Sequence, residues 1–152
     1  FSEPDFACAV IEELAEAKVP ASYLAIEITE RALIENIGQA RTSLKELREA
    51  GVKVLLDDFG TGYSSLSYLN EFKLDVLKID RSFIASIKPK IQDNPVINTV
   101  IALAKTLDLQ VVAEGIESQN QCELLKLLGC DAGQGYWFSR PVPAAEAIRW
   151  LS

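Results

Sequence analysis

The sequence predicts an α/β fold on a parallel sheet, and within that class a partial (β/α)8, TIM-type barrel of about five β/α units. Three observations carry this reading. Apolar stretches alternate in period: one helix, then strand and helix in turn five times, a pattern that demands parallel strands with helical crossovers. Polar residues recur at the C-terminal ends of successive strands: Glu27, Asp57-Asp58, Lys78 with Asp80, Glu114 and Gln134. In a barrel that end is the active-site face. There is no Gly-x-Gly-x-x-Gly loop, and the rival doubly wound sheet would gather ligand groups at one switch point. A closed barrel takes about 250 residues. The 152 residues here are therefore expected to form a single partial domain whose first strands precede Phe1.

Taken in order, Glu3 to Lys18 reads as an amphipathic helix with Phe6, Val10, Ile11 and Leu14 on one face, ended by Pro20. Tyr23 to Ile28 is a strand carrying Glu27 near its end, followed by Thr29-Glu30. A helix from Ile37 to Ala50 turns Ala40, Leu44 and Leu47 inward and stops at Gly51. Residues 52–57 form a nearly continuous apolar run, as in strands covered on both faces. It climbs into Asp57-Asp58, a loop with Gly60 and Gly62, and a short helix near Ser65 to Asn70. Asp75 to Asp80 is a strand whose alternation sets Val76, Lys78 and Asp80 on one side. Asn94 caps the next helix, with Pro95 at its first position and Val96, Ile97, Val100, Ile101, Ala104 and Leu107 as its apolar face. Gln110 to Gly115 is a strand ending in Glu114. Ser118 and Gln121 form a capping box for a helix packed by Leu124, Leu125 and Leu128 and stopped by Gly129. Cys130 to Gly135 is a short strand ending in Gln134, and Pro143 starts a last helix through Trp150-Leu151.

Composition narrows the chemistry. The chain is 49% hydrophobic with net charge −7, enough to bury a core and too acidic for a duplex nucleic acid binder, which needs a basic face. Histidine is absent, so acid–base work would fall to carboxylates or lysine. Cys8, Cys122 and Cys130 have no Cys-x-x-Cys spacing and read as buried small hydrophobes in a reducing compartment. No signal segment and no 18-residue apolar run occur, which predicts a soluble, cytoplasmic chain. The absence of methionine, even an initiator, suggests a piece of something longer.

Two carboxylates about 4 Å apart repel by roughly 4 kcal/mol at an effective dielectric near 20. A cation turns that repulsion into binding, and oxygen ligands suit Mg²⁺, Mn²⁺ or Ca²⁺. Asp57 and Asp58 are therefore either solvated turn residues or metal ligands. Glu27 and Glu114 are either solvated strand ends or part of the same site. Lys78 either forms a structural ion pair with Asp80 or faces charge developing on a phosphoryl group. Together on one face, these residues suit hydrolysis of a phosphate ester by a two-metal site.

Glu27-Ile28-Thr29-Glu30, the run Asp57-Asp58-Phe59-Gly60-Thr61-Gly62-Tyr63-Ser64-Ser65-Leu66, Lys78-Ile79-Asp80, Ala113-Glu114-Gly115-Ile116-Glu117 and Gln134-Gly135-Tyr136 resemble, in order and spacing, the EAL domain of bacterial cyclic di-GMP phosphodiesterases. The resemblance covers essentially the whole chain. It implies a barrel with one strand reversed and hydrolysis of cyclic di-GMP to linear pGpG with two Mg²⁺ or Mn²⁺, Ca²⁺ being inhibitory. It implies that Glu27, Asp57, Asp58 and Glu114 bind metal, with Asp57 bridging, and that Lys78 contacts the attacking water and phosphate with support from Asp80. Glu30 would anchor the loop after Asp58 and couple it to metal binding and dimerisation, while Glu117 and Gln134 would either back the metal ligands or position water. Glu114 and Lys78 are both candidates for the general base, and a metal-bound hydroxide would need neither. The implied partners are a second copy of the chain and sensory or GGDEF-type domains in a parent protein, itself cytoplasmic or membrane-anchored.

The family's Glu-Ala-Leu and its metal-binding asparagine occur nowhere in this sequence. Phe1-Ser2 resembles the residues just after that asparagine. The chain is thus expected to be the C-terminal two-thirds of the domain and a poor phosphodiesterase alone, its open sheet edges favouring association. The alternatives are a catalytically inactive EAL-like module that binds cyclic di-GMP or a protein, and a metal-dependent barrel acting on another phosphodiester.

Overall fold

A computed structural model describes residues 5–35, 37–60, 69, 72–87 and 94–150. Helix α1 (Phe6–Ala17) ends at Lys18 in the left-handed conformation. A 3-10 turn, Ala21–Tyr23, leads into β1 (Ala25–Thr29). Helices α2 (Glu30–Glu35) and α3 (Ile37–Glu49) precede β2 (Lys53–Phe59). Then come β3 (Val76–Ile79), α4 (Arg81–Ala85), α5 (Pro95–Thr106), β4 (Gln110–Ala113) and α6 (Gln119–Leu128). Strand β5 (Ala132–Gly133), α7 (Ala144–Ala147) and a 3-10 turn, Ile148–Trp150, complete the order.

The strands pair in parallel in the order β1-β2-β3-β4-β5. Crossovers of one hand between strands in sequential order carry every connection over the same face. A doubly wound sheet reverses its order at a switch point, and no reversal occurs among the described strands. On the helix side Val54, Leu56, Leu77, Ile79, Val111 and Ala113 are at most 1% exposed, packed with Ala40, Leu44, Ile97, Ile101, Ala104 and Leu125. On the other side Lys53, Gln110 and Ala132 are exposed, and Leu55 and Val112 are half-buried. A smaller cluster of Ala7, Leu47 and Val52, with Phe6, Val10 and Leu14 against it, fastens α1 to α3.

Two aspartates secure the N-terminal ends of strands. Asp75 Oδ2 accepts from Val54 N at 2.9 Å and Asp131 Oδ2 accepts from Val111 N at 2.8 Å. Their own N–H groups donate back to the carbonyls of Val54 and Val111. Each carboxylate thereby pairs an N–H beside the core. Asp131→Ala is expected to cost about 1–3 kcal/mol, the penalty for stranding such a donor. A urea melt would read it as a lower midpoint at unchanged slope.

Several elements differ from the sequence reading. Tyr23 lies in the 3-10 turn, 83% exposed, because Pro20 O accepts from its N–H and delays the strand to Ala25. Thr29-Glu30 opens a helix: Thr29 Oγ1 accepts from Ala32 N, and Glu30 sits in the first turn, where negative charge suits the helix dipole. Strand β3 stops at Ile79, since Asp80 turns out to cap α4 by accepting from Ser82 N at 2.9 Å. Asp80 therefore does not share a strand face with Lys78. Strand β5 is shorter than predicted, as Cys130 N is spent on the α6 end through Leu125 O. The last helix breaks into a 3-10 turn at Ile148, and Leu151 lies outside the described residues. So does the predicted helix near Ser65 to Asn70, apart from the buried Leu69. Val96, in the first turn of α5, is 50% exposed rather than part of the apolar face. Cys8 is exposed as well. It lies two positions past Phe6, some 200° around α1 from that face. Among the described residues no helix is long and apolar enough to cross a membrane.

Candidate active site

In an ordinary strand, adjacent residues point to opposite faces, so Asp57 and Asp58 would be divided by the sheet. The register shows why they are not. Leu56 pairs with Leu77, yet the next pair is Phe59 with Ile79. Strand β2 therefore holds one residue more than β3 in this interval, a β-bulge in which Asp57 and Asp58 together oppose Lys78. Asp58 takes φ 55°, a left-handed conformation that Asp and Asn tolerate better than most residues. Its N–H donates to Asp57 Oδ1 at 3.0 Å. Carboxylate oxygens of Asp57, Asp58 and Glu114 thus come within 4.8 Å of one another. Such an all-oxygen, negatively charged set fits a hard divalent cation such as Mg²⁺, Mn²⁺ or Ca²⁺.

Lys78 sits at the centre of this group. Its Nζ lies 2.6 Å from Glu114 Oε1, 2.8 Å from Glu27 Oε1 and 3.2 Å from Asp57 Oδ1, with the side chain 4% exposed. Burial alone would lower the pKa of the ammonium. Hydrogen bonds to Glu114, Glu27 and Asp57 outweigh it and leave the pKa above the ordinary lysine value. Asp80 is not among these ion partners. Its own pKa runs low: the hydrogen bonds from Ser82 and the backbone outweigh the upward push of burial. Glu27 joins the cluster through Lys78, whereas Glu114 joins it directly and also accepts from Gln134 Nε2 at 2.6 Å.

The turn and loops behind the cluster are held from several sides. Glu30 is buried, and its Oε2 accepts from Gly60 N at 3.4 Å, joining the start of α2 to the turn after Asp58. Glu117 is exposed. Gln121 Oε1 accepts from the N–H groups of Glu117 and Ser118, while its Nε2 donates to Ile84 O at 3.1 Å. The capping residue of α6 thus brackets the Glu114–Glu117 loop to α4. Gly115 has φ 71°, and a Cβ there would lie 2.6 Å from Arg81 Cβ. Only glycine lets Arg81 approach so closely.

A cavity of about 540 Å³ opens beside Glu114 and Gln134, lined also by Arg81, Tyr136 and Arg140. The Arg140 guanidinium lies 4.9 Å from the Tyr136 ring centroid, within cation–π range. Sequence reasoning missed both arginines. The available signal was their adjacency to acidic or amide strand ends, Arg81 after Asp80 and Arg140 shortly after Gln134. They bring positive charge to a site otherwise dominated by carboxylates. The described cysteines take no part: all are free, Cys122 is buried, and burial pushes the Cys130 thiol pKa up.

The EAL domain family model matches residues 1–141. The chain belongs to the EAL domain family. Over 138 residues, 91% of this chain and 18% of the relative, it is 48% identical to the cyclic di-GMP phosphodiesterase NbdA of Pseudomonas aeruginosa. The EAL domain of Mycobacterium smegmatis DcpA superposes with a TM-score of 0.91 at 39% identity, covering 99% of this chain and 68% of that one. A manganese and cyclic di-GMP complex of Klebsiella pneumoniae BlrP1 superposes with a TM-score of 0.81 at 35% identity, covering 92% of this chain and 36% of that one. The chain spans 18% of the length of NbdA and 26% of that of the probable cyclic di-GMP phosphodiesterase PdeN of Escherichia coli. The arc of parallel strands with helices on one face is thus the TIM-barrel-like architecture of EAL domains.

Proposed function

We propose that this chain is the C-terminal portion of an EAL-domain phosphodiesterase that hydrolyses cyclic di-GMP to linear pGpG in a metal-dependent reaction. The observation that carries the reading is the bulge-built cluster of Asp57, Asp58 and Glu114 around Lys78. The NbdA match supports the substrate, and the BlrP1 complex supports the metal.

Glu27, Asp57, Asp58 and Glu114 would hold two Mg²⁺ or Mn²⁺ ions, with Asp57 shared between them. Ions bound there would neutralise the phosphate and make water a stronger nucleophile at neutral pH. Lys78, kept charged by three carboxylates, donates to the phosphoryl oxygens as negative charge grows on them. Glu114 and Lys78 are the candidate general bases, and water activated by the ions would need neither. Gln134 fixes the Glu114 carboxylate through its amide and, with Glu117, positions water at the edge of the cavity. Asp80 supports Lys78 by fixing the junction of β3 with α4. Glu30 anchors the turn after Asp58 and couples it to a homodimer. Arg81 and Arg140 supply positive charge for an anionic dinucleotide. The remaining length of the relatives is consistent with sensory or GGDEF-type domains in a cytoplasmic or membrane-anchored parent.

The complete domain, incubated with cyclic di-GMP and Mn²⁺, is expected to release the 5′-phosphorylated linear dinucleotide on a chromatogram and to stop when EDTA is added. Binding without product would instead identify an inactive EAL-like module. Cleavage of other phosphodiesters but not of cyclic di-GMP would reassign the substrate.

A further inference from the structure

Gly60 closes the bulged end of β2 with φ 91°. The site that its side chain would occupy is already filled. A Cβ built there would lie 2.9 Å from Phe83 Cζ and 3.0 Å from Phe83 Cε2. Phe83 belongs to α4, which follows directly from the strand carrying Lys78, and its ring packs against the main core. The turn is thus held from two sides, by the Glu30 carboxylate on Gly60 N and by the Phe83 ring over the position a Gly60 side chain would take. Phe59, between Asp58 and Gly60, is 5% exposed, so the backbone on either side of Asp58 has little freedom.

We infer that Phe83 is a positioning residue for the Asp57-Asp58 carboxylate pair: its ring, seated where residue 60 lacks a side chain, fixes the turn that ends the bulge. The inference rests on the proposed metal-binding role of that pair. Phe83 acts through Gly60 and locks the acidic turn to the helix that continues from Lys78. If the ring is removed, the turn loses its packing on the α4 side and is held there less firmly, while the Glu30 hydrogen bond remains.

The test is Mn²⁺ affinity, read from the free-ion electron paramagnetic resonance signal, in the complete domain and three variants. Phe83→Ala is expected to weaken Mn²⁺ binding about tenfold or more, the scale for residues that orient ligands from behind. Phe83→Leu, which keeps apolar volume, is expected to recover part of that loss. Leu103→Ala, on α5 against the same core cluster, is expected to lower the melting temperature without changing Mn²⁺ affinity. A folded Phe83→Ala domain within twofold of the unsubstituted affinity overturns the inference. So does a Leu103→Ala domain that loses as much affinity. Where Phe83→Ala does not fold, Phe83→Leu decides by the same twofold limit. An unsubstituted domain that binds no Mn²⁺ overturns the metal reading and this inference with it.

Discussion

Lys78→Ala in the complete domain is expected to leave the fold intact and to reduce turnover of cyclic di-GMP at least a hundredfold. The ammonium is the one described cation in contact with Glu27, Asp57 and Glu114. Donors aimed at developing phosphoryl or acyl charge are typically worth 10²–10³ in rate. Its loss also leaves three carboxylates facing one another. The variant should therefore melt lower in EDTA and regain most of the difference in Mn²⁺, whereas the unsubstituted domain should respond less. A variant that retains turnover within about tenfold, or 1.4 kcal/mol, would mean that Lys78 is a structural ion-pair residue and no more.

Asp57→Asn carries the second large effect. In the proposed site Asp57 would be shared between two ions; in the structure it pairs with Lys78 and receives the Asp58 N–H. Residues that merely orient metal ligands cost 10–100-fold in affinity or activity, so loss of a bridging charge should cost no less than about a hundredfold. The amide nearly preserves shape and can still accept the Asp58 N–H through its oxygen. The bulge should survive, and circular dichroism and melting temperature in EDTA should change little. Calorimetric titration with Mn²⁺ would check the affinity. Unchanged binding would move the ions away from the bulge.

Much of this arrangement was legible in the sequence because it is written locally. Asn94 caps α5 by accepting from Ile97 N, with Pro95 at its first turn. Ser118 and Gln121 form the expected capping box of α6. Both signals span only a few residues and follow from backbone donors that need a partner. The strand cores were legible for a similar reason, as apolar runs short enough to be strands. Helix α4 was not: its five residues are too few to display a period. The clustering of Asp57 with Asp58 was anticipated, but not its cause. A bulge is a property of register between two strands, and nothing within Val54 to Phe59 alone announces that β2 holds an extra residue against β3. Strand alternation wrongly paired Lys78 with Asp80, because Asp80 answers to the N–H groups of the helix after it. Arg81 and Arg140 could be suspected only from their nearness to Asp80 and Gln134, and Phe83 meets Gly60 across a separation that no local pattern records.

Hydrolysis of cyclic di-GMP in Mn²⁺, measured side by side on these 152 residues and on the complete domain, is the measurement to make. Linear pGpG is expected from the complete domain, and little or none from the shorter chain. No product from the complete domain, with cyclic di-GMP still bound, would contradict the phosphodiesterase reading and leave a binding module in its place.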